Sequence, residues 1–348
     1  MNIPIPEYQG KPVVYLDQNV LSLFVKGIDL GFFERLINGY QIVYSDEILR
    51  EIKRCGKDFS KFLDALELMS AMHFRFDITA SFEVLDRVIV KHVSPYDAYA
   101  AFCQIEPVYD LMIAATRQTT LKFFGGRQGS DLDDIKSEQI YAFEKLMEHI
   151  SDVTDGSDDV PPEMQRSIRD YQRVLRDQFN EALSLSTAQM RQHISNEEEW
   201  SGVKDYREAT GAGPVELNNI KPPNVIEKIW TVYQGLEGYK GEGFSIEQFL
   251  GISQNSIYNR EMHEHEKINA IYNLLNVIGY NQDSKLTQES RHIAATSDAA
   301  HAAIAASANA LLSGDKAFVA KVRAIYEYLK VDVEVGLIVV NDGVIEIA

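Results

Sequence analysis

The chain has 348 residues and a formal net charge of −18, with 45% hydrophobic and 25% charged residues, so it has room for a sizeable core and the balance of a globular protein. The acidity argues against a general binder of nucleic-acid backbone, because phosphates require Lys and Arg, although local distribution matters more than the sum. Cys55 and Cys103 are too few for a disulfide framework or a zinc cluster, and no apolar run reaches the roughly 18 residues of a membrane span, so a reducing cytoplasm and no membrane are expected.

The first residues, MNIPIPEYQGK, lack a basic stretch followed by an apolar one, so no secretory signal is expected. PVVYL, 12–16, reads as a short strand buried on both faces, as in a parallel sheet. Residues 18–38 read as helix and YQIVYS, 40–45, as a second strand. Residues 46–72 form one long helical pattern, with Ile48, Ile52, Phe59, Phe62 and Leu66 as core positions. HFRFDI, 73–78, reads as a third strand, and this alternation predicts an α/β unit with a parallel sheet.

From about 95 to 290 strand signals are few. Helices are expected over 135–150, 163–195, 224–236 and 261–280, with loops over 151–164 and 209–225. The α/β character returns with the Ala-rich helix 295–310, the short strand ALLSGDK, the helix 316–330 and a hairpin around Asn341-Asp342-Gly343. The two ends therefore predict one α/β domain, 1–94 and 285–348, and the middle a mostly α-helical insertion, 95–284.

Four carboxylates recur at comparable places. Asp17 ends the first strand, Glu51 lies one turn into the helix after the second, Asp298 opens the Ala-rich helix, and Asp315 ends the strand that follows. Ligands of open parallel sheets bind beyond the carboxyl ends of the strands. Clustered carboxylates repel one another unless a cation compensates, and Mg²⁺ or Mn²⁺ suits all-oxygen donors and phosphate substrates. Such a site supports phosphodiester hydrolysis. Glu47 is a rival to Glu51, because residues four apart share a helix face.

VYLDQNVLSLF, YSDEILREI and SDAAHAAIAASANALLSGDKAF resemble the acidic motifs of the PIN-domain ribonucleases, with Asp17, Glu51, Asp298 and Asp315 at the matching positions. Asn19 and Ser313 match the small polar positions nearby, with Ser in place of the more usual Thr. The resemblance covers the two ends of the chain. It implies a Rossmann-like α/β/α three-layer fold with a parallel sheet, and a divalent-metal-dependent endoribonuclease acting on RNA. It also raises a toxin- or defence-like role with a protein partner held through the helical insertion.

Further residues bear on substrate. His301, three residues after Asp298, shares its helix face and is a candidate substrate or supporting contact, or a satisfied core histidine. Arg50, Arg54, Lys57 and Lys61 fall at helical spacing and predict a basic stripe, either a solvated face or a phosphate track, and Lys316 adjoins Asp315. His263 and His265 in HEHE are expected on different faces of a solvated helix. Trp200, Trp230, Tyr233 and Tyr239 are expected to serve core packing before base stacking.

Two other classes compete. VVYLDQN loosely resembles the haloacid-dehalogenase phosphatases, but Asn19 stands where those enzymes place their acid. A non-catalytic RNA- or protein-binding module on the same fold is the third reading.

Overall fold

The computed structural model describes residues 10–79, 83–155, 161–240, 243–254 and 260–348. Seven strands form one mixed, mostly parallel sheet: β1 (Val13–Leu16), β2 (Gln41–Tyr44), β3 (Met72–Ile78), β4 (Val84–Lys91), β5 (Ala310–Ser313), β6 (Glu334–Asn341) and β7 (Val344–Ile347). Their order is β4-β3-β2-β1-β5-β6-β7. The five central strands are parallel, and β4 and β7 add antiparallel edges. β1 and β5 are buried at every residue, as a sheet covered on both faces requires. β4 goes beyond the strands expected from the sequence.

The helices are α1 (Gln18–Val25), α2 (Leu30–Gly39), α3 (Asp46–Arg54), α4 (Phe59–Leu68), α5 (Pro95–Phe123), α6 (Leu132–Asp155) and α7 (Pro162–Arg191). After them come α8 (Gly202–Thr210), α9 (Pro214–Leu217), α10 (Val225–Gln234), α11 (Ile246–Leu250), α12 (Glu264–Ile278), α13 (Glu289–Ala305) and α14 (Lys316–Leu329). Among the described residues no helix is long and apolar enough to cross a membrane.

Several expected elements are reshaped by local chemistry. The single helix expected over 46–72 breaks after Arg54, where Gly56 takes φ +62°, a left-handed conformation that favours glycine. Its expected core positions still hold, since Ile48, Ile52, Phe62 and Leu66 are buried and Phe59 stacks on Tyr99. The Ala-rich helix starts at Glu289 rather than 295, because 289–305 contains neither Gly nor Pro. The terminal hairpin turns at Asp342 and Gly343, both with positive φ, as a two-residue turn of the favoured hand demands.

The chain divides into two compact units. The first comprises Met1–Phe102, Arg207–Ser284 and Ile293–Ala348, and the second Cys103–Tyr206 and Lys285–His292. Residues 207–284, expected in the helical insertion, therefore belong with the sheet. Packing explains the difference: Tyr272 of α12 lies against Phe318 of α14, and Lys321 of α14 bonds to Asn276 and Asp283. β4 also holds the start of α12. Asp86 accepts from the Glu264 and His265 backbone N–H groups at 3.0 and 3.3 Å, satisfying donors that a helix start leaves open.

His263 and His265 both reach Asp86, at 3.1 and 2.8 Å, and stack on each other, so they share one partner rather than pointing to opposite faces of a solvated helix. The reason is that His263 caps α12 from outside it. In the first unit Trp230 and Tyr233 pack around Phe249, with Tyr239 beside them. The second unit is built on α6 and α7, joined by stacked Phe143 and Phe179 and by a bond from Gln172 to the Met147 carbonyl. Trp200 packs on Phe123 there. The loop expected over 151–164 is shorter than that, since α6 runs to Asp155 and α7 starts at Pro162; residues 156–160 lie outside those described.

Candidate metal centre

β1 and β5 lie in register, Leu16 opposite Leu312, and the ladder continues one step to a bond from Asp17 N–H to the Leu312 carbonyl at 3.0 Å. This sets Asp17 beside Ser313 across 296 positions of sequence. Asp17 precedes α1, yet its side chain makes no capping bond there. Its Oδ2 instead accepts from the Ser313 hydroxyl at 2.5 Å and from the Asn19 side-chain amide. Asn19 Oδ1 accepts from Gly314 N–H at 2.7 Å, which fixes the amide in turn.

Glu51 sits on α3 and His301 on α13. One ligand atom from each of Asp17, Glu51 and His301 falls within 4.8 Å of the others. His301 is 1% exposed, and its Nε2 stands 3.3 Å from Glu51 Oε2. Neither atom has a hydrogen-bond partner among the described residues. The opposite ring nitrogen, Nδ1, is 2.6 Å from the Tyr15 hydroxyl, which is itself 2.6 Å from Ser45 Oγ. With Nδ1–H donating to Tyr15, Nε2 is the nitrogen turned to the carboxylates: the charged imidazole presents Nε2–H to Glu51, and loss of that proton frees the Nε2 lone pair for a cation.

Glu47, the rival acid, is occupied elsewhere. Both its oxygens accept from one Arg50 nitrogen, at 2.7 and 2.9 Å, and it accepts from the Ser297 hydroxyl at 2.9 Å. Asp298 lies ten residues into α13, not at its start as the sequence suggested, so no N-terminal dipole accounts for it. It stands outside the tight group but feels Asp17 and Glu51 electrostatically. Asp315 is exposed and caps α14, accepting from Ala317 and Phe318 N–H at 2.8 and 2.9 Å. The two strand-end aspartates thus differ: one is a helix cap and the other is not.

Burial raises the Asp17 carboxyl, with Glu51 adding to it and His301 opposing it. Burial and the neighbouring Asp283 push Asp298 well above the ordinary carboxylate range. Burial pulls His301 down, but the charges of Glu51, Asp17 and Glu47 outweigh it and lift the imidazole to about 9. Burial thus disfavours the charge on Asp17 and Asp298, and His301 partly offsets it at both.

The expected substrate contacts fare differently. Ser313 is fully buried, and its oxygen, besides donating to Asp17, accepts from Asp315 N–H at 3.0 Å and from Asn19 at 3.2 Å. Ser313 and Asn19 are thus engaged in holding Asp17 rather than facing a substrate. His301 is likewise turned inward to the acids. Arg54, Lys57 and Lys316 are exposed. The basic stripe is broken at Gly56 and partly neutralised within itself, Arg50 by Glu47 and Lys61 by Asp58 at 2.7 Å.

Sequence reasoning missed Tyr15, although it shares strand parity with Asp17, and that signal was readable. It also missed Lys321, Asp283, Asn276 and Tyr272. The first of these, a fully buried lysine, reads in sequence as one more polar position of an amphipathic helix.

The donor set fits a divalent cation. Two carboxylates and a buried imidazole nitrogen converge, Ser313 and Asn19 hold Asp17 in place and Tyr15 holds His301, and a cation would offset the burial and the Glu51 charge that raise Asp17. No family model matches the chain, and neither the curated proteins nor the solved structures yield a match.

Proposed function

We propose that the chain is a divalent-metal-dependent nuclease of PIN-like type that cleaves RNA. The observation that carries the metal reading is the convergence of Asp17, Glu51 and His301 within 4.8 Å, with His301 Nε2 buried and turned to the carboxylates. The assignment to RNA rests on the motif resemblance around Asp17, Glu51, Asp298 and Asp315. When bound, the ion would polarise a phosphoryl oxygen and acidify a water.

In this reading Asp17, Glu51 and His301 hold the ion, Ser313 and Asn19 orient Asp17, and Tyr15 orients His301. Asp298, half-buried and outside the tight group, is the further acid that the motif resemblance names beside the centre. Exposed Arg54, Lys57 and Lys316 are the backbone-phosphate contacts. The phosphatase alternative gains nothing here, because Asn19 replaces the required acid and its amide is bound to Asp17 and Gly314.

The test is cleavage of single-stranded RNA, structured RNA and single-stranded DNA with Mn²⁺, Mg²⁺ or EDTA, with Asp17→Asn and Glu51→Gln as controls. Metal-dependent RNA cleavage lost in both variants is expected. Undiminished cleavage in both would sink the assignment.

A further inference from the structure

Two rungs join α3 to α13. At the first, the Ser297 hydroxyl donates to Glu47 Oε2 at 2.9 Å. At the second, His301 Nε2 stands 3.3 Å from Glu51 Oε2. Both rungs span 250 positions of sequence, because Glu47 and Glu51 are one i, i+4 step on α3, and Ser297 and His301 the same step on α13. Residues at that spacing share a helix face and lie about 6 Å apart along the axis. Equal steps on both sides mean that α3 and α13 run in the same sense here, with their faces in register.

The first rung is closed. Ser297 is buried. Glu47 accepts from Arg50 Nη1 on both oxygens, and the Arg50 guanidinium lies 5.9 Å from the centre of the Phe102 ring. The Glu47 charge is thus answered within α3, and the bond from Ser297 carries the contact across to α13. The second rung is the open one. There Glu51 and His301 meet Asp17, with one ligand atom of each within 4.8 Å of the others.

Donors on two helices hold one ion only if the helices cannot slip. A slip of one residue shifts a side chain by about 1.5 Å along the axis and turns it by more than a quarter of a circle. A metal site tolerates errors of only about 0.2 Å in its bond lengths. Tyr15 fixes the rotation of the His301 ring, but it does so from β1. The Glu47–Ser297 bond lies on the same two faces as the donors and one turn from them, so it sets the height of α13 on α3 directly.

We propose that the Glu47–Ser297 rung is the latch of the metal centre: both are positioning residues that keep α13 in register on α3, so that Glu51 and His301 reach the same ion. The inference rests on the metal reading above. It gives Glu47, the rival acid, a part in the site through Ser297 rather than as a donor.

The experiment is Mn²⁺ titration of the full chain by calorimetry, beside melting curves in EDTA. Ser297→Ala and Glu47→Ala are expected to weaken Mn²⁺ binding about 10–100-fold, as loss of the groups that orient metal ligands does. Glu47→Gln keeps an oxygen that can accept from Ser297 and is expected to bind Mn²⁺ as the wild type does. A bond that only stabilises the fold would lower the melting temperature in EDTA and leave the affinity alone, and that outcome in Ser297→Ala overturns the proposal. So does Glu47→Gln weakened as much as Glu47→Ala, since the charge of Glu47 would then be what counts. Should Ser297→Ala fail to fold, the two Glu47 variants decide in its place. A wild-type chain that binds no Mn²⁺ removes the metal reading itself, whereas binding that Ser297→Ala leaves unchanged removes the latch alone.

Discussion

His301 Nε2 faces Glu51 Oε2 at 3.3 Å, a contact between an imidazole and a carboxylate that α13 and α3 bring together from 250 positions apart in sequence. The geometry is an ion pair without an aligned hydrogen bond, and both atoms are buried. Such a pair is costly to leave unsatisfied. A cation held by the two groups and Asp17, as proposed above, would satisfy all three.

An imidazole donor biases the choice of ion. Nitrogen suits Mn²⁺ and later transition ions better than Mg²⁺, which prefers oxygen and keeps its waters. Mn²⁺ should therefore raise the melting temperature more than Mg²⁺ at equal concentration, reaching about 2.7 kcal/mol of stabilisation at 100 times its dissociation constant. His301→Gln should remove the difference between the two ions. Equal stabilisation by both in the wild type would count against His301 as a donor.

Tyr15→Phe separates orientation from packing. The variant keeps the ring in a buried strand but loses the hydroxyl that holds His301 Nδ1 and Ser45. Groups that orient a metal-binding histidine typically contribute 10–100-fold in affinity, so Mn²⁺ binding should weaken by roughly that factor. Calorimetric titration measures it, and an unchanged affinity would place Tyr15 in the core alone.

The pH response follows from the raised groups. A group raised in the folded chain stabilises it fully below the unfolded value, and this contribution fades as pH rises through the folded value. For His301 that window runs from 6.5 to about 9, and the raised Asp17 and Asp298 carboxyls act in the same direction. Metal-free protein in EDTA should accordingly lose thermal stability between pH 6.5 and 9. Mn²⁺ affinity should climb over the same range, because the ion must displace the His301 proton. Melting curves with EDTA and with Mn²⁺ check both slopes.

Asp86→Ala tests whether residues 207–284 are anchored to the sheet. It removes two bonds to the start of α12 and the shared partner of His263 and His265. Loss of a helix cap costs about 1–2 kcal/mol, which denaturant unfolding would register. Mn²⁺ stoichiometry should not change, since Asp86 is not among the centre's donors.

Much of the sheet was legible because local pattern reports burial. VVYL, QIVY and ALLS are short apolar runs and became buried parallel strands, and Asp342-Gly343 fixed the hairpin. The pattern was less informative for length. It joined 46–72 into one helix, because helical periodicity passes through Gly56 without registering the left-handed turn that ends it.

The acids divide along the same line. By itself the sequence determined that Asp17 follows a strand, that Asp315 stands between a strand and a helix, and that Asp298 and His301 share a helix face, since these are properties of neighbouring residues. Only the tertiary structure decided that Glu51 rather than Glu47 meets Asp17, and that Ser313 and Asn19 face inward. It alone joined α12 to α14 around a buried Lys321. The physical reason is that strand register and helix packing couple residues as distant as Asp17 and Ser313, 296 positions apart, and no local periodicity encodes which of two acids one turn apart will be aimed at a third.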